Sequence, residues 1–103
     1  MKIYGLKNCD NCRKAKKALG AELQDVRDEP LSEAQLQEFY THFGTALLNS
    51  RSTTWRNLDE TERKKDPIAL LQEHPALMKR PLIERDGELF LGWGKEVREK
   101  LGG

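Results

Sequence analysis

The sequence predicts a small α/β domain built around a mixed sheet, with a βαβ unit followed by a ββα unit, and three observations lead there. "KIYGLKNCDNCRKAKKALG" runs from a short apolar strand pattern through a turn into a helix, with two cysteines three apart at the junction. "RPLIERDGELFLGWG" sets two apolar runs on either side of Asp86-Gly87, the strongest hairpin signal in the chain. The 103 residues are enough to bury one core without a disulfide or a metal, and they leave no room for a second domain.

Each element follows from local pattern. "KIYGL" is the first strand, ending at the loop that holds Asn8 and Cys9. The first helix starts near Asp10; Cys12, Ala15, Ala18 and Leu19 recur every three or four residues on one face, and Gly20 is a suitable C-terminal cap. "ELQDVRD" is a weaker second strand. After Pro30, Ser32-Glu33-Ala34-Gln35 reads as a capping box, and Leu36, Phe39, Tyr40 and Phe43 form the stripe of the clearest helix, stopped by Gly44. "TALLNSRSTTWRNLDETERKKD" has no sustained period and predicts short helices and loops. Asp66-Pro67 is an N-cap followed by proline at the first helical position, and Pro75 discourages continuation. The hairpin follows, and Lys95 to Leu101 is a short closing helix. A βαβ unit and a ββα unit with C-x-x-C at the first strand-to-helix junction is the thioredoxin-like arrangement.

Charge excludes some functions. Eighteen basic residues against seventeen acidic ones leave a net charge of +1, so there is no electrostatic footprint for nucleic acid or an anionic membrane. No stretch approaches the roughly 18 apolar residues of a membrane span, and the N-terminus lacks the apolar core of a signal peptide, so the expected location is the cytoplasm. Thiols stay reduced there, and a lone C-x-x-C reads as catalytic or metal-binding rather than as a structural disulfide.

The spacing of Cys9 and Cys12 puts their Cβ atoms about 5 to 6 Å apart in a first helical turn, which overlaps the range that a disulfide bridges. Cys9, ahead of the helix, is expected to face solvent and attack; Cys12, a turn inside, is expected to be sheltered and to resolve. The helix N-terminus favours a thiolate, with Lys7, Arg13 and Lys14 as candidate supporting cations and Asp10 opposing them. Zinc needs about four ligands, and the remaining soft candidates, His42 and His74, lie on different expected helices, so no metal is expected. Two inert buried thiols are the plain alternative.

"KNCDNCRKA", "ALLNSRSTTWRNLDE" and "HPALMKRPLIE" together resemble the arsenate reductase (ArsC)/Spx family, most closely its short YffB-like subgroup, over nearly the whole chain. The resemblance implies a single thioredoxin-like domain over residues 1–103 with a helical insertion at about 32–76 between the two halves. It also implies Cys9 as nucleophile, Cys12 as possible resolving thiol, and Arg13 as the arginine of the anion loop. The Arg80-Pro81 pair matches a family pair whose proline is typically cis. Arg51 matches an arginine of the Spx and YffB-like chains.

Three readings follow from the resemblance. The leading one is a thiol-disulfide oxidoreductase with glutathione as co-substrate and no tightly bound cofactor. Arg13, Arg51 and Arg80 would meet the glutathione carboxylates, and the Pro81 backbone, with no N–H, would offer only its carbonyl. The alternative is an Spx-like redox-sensing regulator that binds RNA polymerase, against which the chain lacks the longer C-terminal extension. The third is an arsenate reductase. Against it, Gly5 stands where those enzymes carry a histidine, and Asn49 and Trp93 stand where two oxyanion arginines are expected. Plainer roles compete throughout: Arg13 paired with Asp10, Arg51 solvated, Trp55 and Trp93 packed, His42 and His74 ordinary helix residues, and Lys14, Lys16 and Lys17 a wet helix face.

Overall fold

The computed structural model describes residues 1–102. The chain divides into two compact units, Met1–Glu29 together with the chain from Arg80 onward, and Pro30–Lys79.

The first unit is a four-stranded mixed sheet carrying two helices. Strand β1 (Lys2–Gly5) leads to helix α1 (Asp10–Leu19) and strand β2 (Glu22–Asp25). Strands β1 and β2 are parallel, with Gly5 opposite Asp25. Strand β3 (Leu82–Arg85) runs antiparallel to β1, and β4 (Glu88–Leu91) antiparallel to β3, giving the order β2-β1-β3-β4. The hairpin turns at Asp86 and Gly87 with φ of 50° and 85°. Positive φ at both central positions gives the hand of turn that matches strand twist, which Asp-Gly supplies at low strain. The last helix of this unit spans Lys95–Leu101. Ile3, Ala15, Ala21, Ile83, Phe90 and Leu101 form one core cluster, so α1 and this last helix bury against one face of the sheet. Ala15 allows α1 a close approach, whereas Ala18, expected on the same buried stripe, is exposed.

The second unit is helical. Helix α2 (Glu33–Phe43) has the expected reciprocal box, with the Gln35 amide donating to Ser32 Oγ and the Ser32 amide to Gln35 Oε1. The middle of the chain, where no period was legible, folds into a 3-10 turn (Gly44–Leu47) and two single-turn helices, α3 (Thr53–Arg56) and α4 (Glu60–Arg63). Ser52 and Asp59 cap these last two through their side chains. Such short helices lack the length for an amphipathic stripe and are set by their caps. Helix α5 (Pro67–Glu73) starts at the predicted Asp66 cap, and a 3-10 turn (Pro75–Leu77) follows it. Helices α2 and α5 pack together, with Leu36, Phe39, Leu47, Leu70 and Leu77 buried. Two hydrogen bonds, Lys79 N–H to Leu47 at 2.8 Å and Asn49 N–H to Leu77 at 2.9 Å, tie the end of the unit to its centre. The closing helix of the first unit is α6. Among the described residues, no helix is long and apolar enough to cross a membrane.

Candidate active site

Strand β1 delivers the chain to Gly5, and a turn closed by the Cys9 amide on the Leu6 carbonyl (3.2 Å) sets Cys9 at the N-cap of α1. Its backbone is extended (φ −92°, ψ 124°), and its carbonyl accepts the first helical bond, from Arg13 N–H at 3.0 Å. An N-cap side chain faces the unpaired amides of the first turn. Here that side chain is a thiol: it makes no conventional cap bond, and its ionised form is the better acceptor.

The two thiols are pulled in opposite directions. Partial burial of Cys9 pushes its pKa up, but hydrogen bonds from the Cys12 amide, the Cys12 thiol and Arg80, with the Arg80 charge, outweigh this and lower it. Cys12 is fully buried, and burial first, then the neighbouring Cys9 charge, pushes it up to about 12 against the opposing Leu6 amide and Arg80. One sulfur is partly open with its ionisation favoured; the other is buried, held as a thiol, and donates to it.

The cation that serves Cys9 is Arg80, which departs from the expectation that Lys7, Arg13 or Lys14 would do so. Lys7 is paired with Asp28 at 2.7 Å and Arg13 with Asp10, both on the surface. The second pair also neutralises Asp10, the acid expected to oppose the thiolate. Arg80 is half-buried with its Nε out of solvent, and it precedes Pro81 through a cis peptide bond. Pro81 itself is fully buried, and its carbonyl already accepts from Gly92 N–H at 2.8 Å, continuing the β3–β4 ladder. The structure therefore brings together Cys9, Cys12 and Arg80, with Pro81 following Arg80 in the chain. Arg51 belongs to the helical unit, where it is exposed and lines an open cleft of about 590 Å³ with Thr45, Asn49, Ser50 and Lys79. Trp93 packs against the core of the sheet unit.

Two features were not visible as functional in the sequence. At Gly5, a Cβ would collide with the Cys12 sulfur and stand 3.3 Å from Cys12 Cβ and 3.6 Å from Leu23 Cδ1. The second thiol thus takes up the space that a side chain at residue 5 would enter. Asp25, closing β2, is the buried acid among the described residues, and it accepts from the backbone N–H of Lys7, two residues before Cys9, at 2.9 Å. An acid at a strand end carries no distinguishing signal in one sequence. Among the described residues, the only cluster with metal-ligand spacing is Glu62, Glu73 and His74, which includes neither cysteine, and the Lys65 ammonium sits 3.1 Å from Glu62 and 3.3 Å from Glu73.

Comparison with known proteins agrees with this architecture. The sequence pattern of the ArsC family matches residues 4–101. A Haemophilus influenzae protein of no stated function is 40% identical over 104 residues, 91% of each chain. The global transcriptional regulator Spx of Bacillus subtilis is 29% identical over 111 residues, 96% of this chain and 85% of that one. Among solved structures, the YFFB protein superposes with a TM-score of 0.86 at 25% identity, covering 97% of this chain and 96% of that one. An arsenate reductase (ArsC) related protein from Brucella melitensis gives 0.74 at 34% identity, covering 96% and 91%. With the mixed sheet, the C-x-x-C junction and the cis-proline strand in place, the chain belongs to the ArsC family of thioredoxin-like redox proteins.

Proposed function

We propose that the protein is a thiol-disulfide oxidoreductase that uses glutathione, with Cys9 as nucleophile. The observation that carries this reading is the opposed pair of thiols: a partly open Cys9 with a lowered pKa beside a buried Cys12 raised to about 12. The Cys9 thiolate attacks the glutathionyl sulfur of a mixed disulfide. The Cys9–glutathione S–S bond forms, the substrate S–S bond breaks, and the substrate leaves as a thiolate that takes a proton from water. A second glutathione thiolate then attacks the glutathionyl sulfur, releasing oxidised glutathione and restoring the Cys9 thiolate.

Resolution by Cys12 requires a fully buried thiol to ionise against burial, so the route through a second glutathione is favoured. In that route Cys12 works as a donor that steadies the Cys9 thiolate. Arg80, the cation that acts on Cys9, is the leading candidate to meet a glutathione carboxylate, with Arg13 and Arg51 as further candidates. The test is disulfide reduction coupled to glutathione reductase, with Cys9→Ser and Cys12→Ser in parallel.

Similarity to Spx over 96% of the chain favours one second reading, a redox-switched binding module whose Cys9–Cys12 disulfide alters affinity for RNA polymerase. It predicts disulfide formation with negligible turnover. Arsenate reduction is the least supported, since the position of the expected histidine is filled by the Cys12 sulfur.

A further inference from the structure

We propose that Asp25 is a positioning residue for Cys9, fixing the loop that presents the thiol to the N-terminus of α1. The inference rests on Cys9 being the reactive thiol, as argued above. Strand β1 ends at Gly5, directly across the parallel register from Asp25. From there the chain must turn through Leu6, Lys7 and Asn8 to place Cys9 at a helix cap, and loop amides have no ladder to satisfy them.

Asp25 supplies what the ladder does not. Its side chain is only 2% exposed. Oδ2 accepts from Lys7 N–H at 2.9 Å, and Oδ1 from Arg27 N–H at 2.9 Å. The Arg27 guanidinium lies 3.6 Å from Oδ2 and donates to Asn8 Oδ1 at 3.2 Å. The Asp25 carbonyl holds its own loop through Asp28 N–H at 3.1 Å and Glu29 N–H at 2.9 Å. The two residues that precede Cys9 are therefore both clamped to the turn after β2. Arg27 does so through a single nitrogen, Nη2, which reaches the acid and the amide at once.

A carboxylate out of solvent is unfavourable unless its oxygens are bonded. Burial pushes Asp25 up, and the Lys7 and Arg27 bonds outweigh it and hold the group ionised below the ordinary aspartate range. The clamp bears on reactivity because the Cys9 pKa depends on alignment with the Cys12 amide and Arg80. A loop free to swing loses that alignment.

The test is the rate of Cys9 alkylation by iodoacetamide as a function of pH, localised by mass spectrometry. It compares the whole protein with Asp25→Asn, Arg27→Lys and, as a destabilised control away from the loop, Val97→Ala. Asp25→Asn replaces one acceptor with a donor. It is expected to raise the Cys9 pKa by about one unit and slow alkylation about tenfold at pH 7. Arg27→Lys keeps the charge but its shorter side chain gives up the reach of Nη2 to Asn8, and is expected to slow alkylation about twofold. Val97→Ala is expected to alkylate as the wild type does, which separates positioning from general loosening.

Alkylation of Asp25→Asn as fast as the wild type overturns the proposal. So does faster alkylation, the result that removal of a nearby negative charge alone would give. If Asp25→Asn does not fold, an unchanged rate in Arg27→Lys overturns it. Because alkylation needs no substrate, slowed alkylation of Asp25→Asn beside a wild type that shows no disulfide turnover would reject the oxidoreductase reading and leave the positioning role standing.

Discussion

Replacing Gly5 with alanine tests how the second thiol is accommodated. Gly5 lies in regular strand pairing and its φ is not positive, so alanine meets no backbone obstacle there. The obstacle is the Cys12 sulfur, held on a helix against the strand with no exposed surface into which to retreat. Overpacking of this kind costs about 1–3 kcal/mol. For a chain of this size, each kcal/mol lowers the melting temperature by about 4–8 °C. Cys12→Ala alone removes one buried heavy atom and costs about 1 kcal/mol. In the double variant the new methyl enters the space the sulfur vacates, with Cys12 Cβ at 3.3 Å as a tight remaining contact. The double variant should therefore be more stable than Gly5→Ala, with a coupling energy of about 1–3 kcal/mol. Urea unfolding of the four proteins of the cycle measures it. Additive losses, or a harmless Gly5→Ala, would refute the steric argument.

Three further outcomes are expected. Arg80→Gln removes the cation beside Cys9 and should raise the thiol pKa, slowing alkylation at pH 7 by about three- to tenfold, a range discounted for the partly open site; an unchanged pH profile would mean that the charge acts elsewhere. Asp25 has a folded-state pKa below its unfolded one, so its stabilisation is complete above the ordinary aspartate range and is lost as pH falls through the folded value. Asp25→Asn should accordingly flatten the loss of stability below about pH 4, read by chemical denaturation across acid pH. Ser32→Ala removes the Oγ that accepts from the Gln35 amide, while the amide of residue 32 can still donate to Gln35 Oε1, and it should cost about 1 kcal/mol by the same assay.

Much of the fold was legible because its signals are local. The Ser32–Gln35 box, Asp66-Pro67 and Asp86-Gly87 each carry their geometry in a few adjacent residues, and each element formed where those residues stand. The middle of the chain was not legible, because α3 and α4 are single turns whose existence depends on side-chain caps and surrounding packing rather than on a period. The site divides along the same line. Cys9 and Cys12 announce themselves by spacing, and Arg80 by its proline. Which cation reaches the thiolate depends on pairings made across the fold: Asp28 engages Lys7, Asp10 engages Arg13, and Arg80 arrives from the far end of the sequence. Asp25 was silent because its role lies in a parallel strand register that sets it opposite Gly5, twenty residues away; Gly5 showed in the sequence only as a departure from an expected histidine, and its contact with Cys12 needs the packing of α1 on β1.

Turnover in the glutathione-coupled disulfide assay tests the central claim most directly. Activity is expected in the wild type and should vanish in Cys9→Ser, while Cys12→Ser remains active because its hydroxyl still donates to the Cys9 thiolate and the route through a second glutathione needs no second thiol. Activity that survives in Cys9→Ser, or a wild type that forms the Cys9–Cys12 disulfide readily yet turns over no disulfide substrate, would contradict the account.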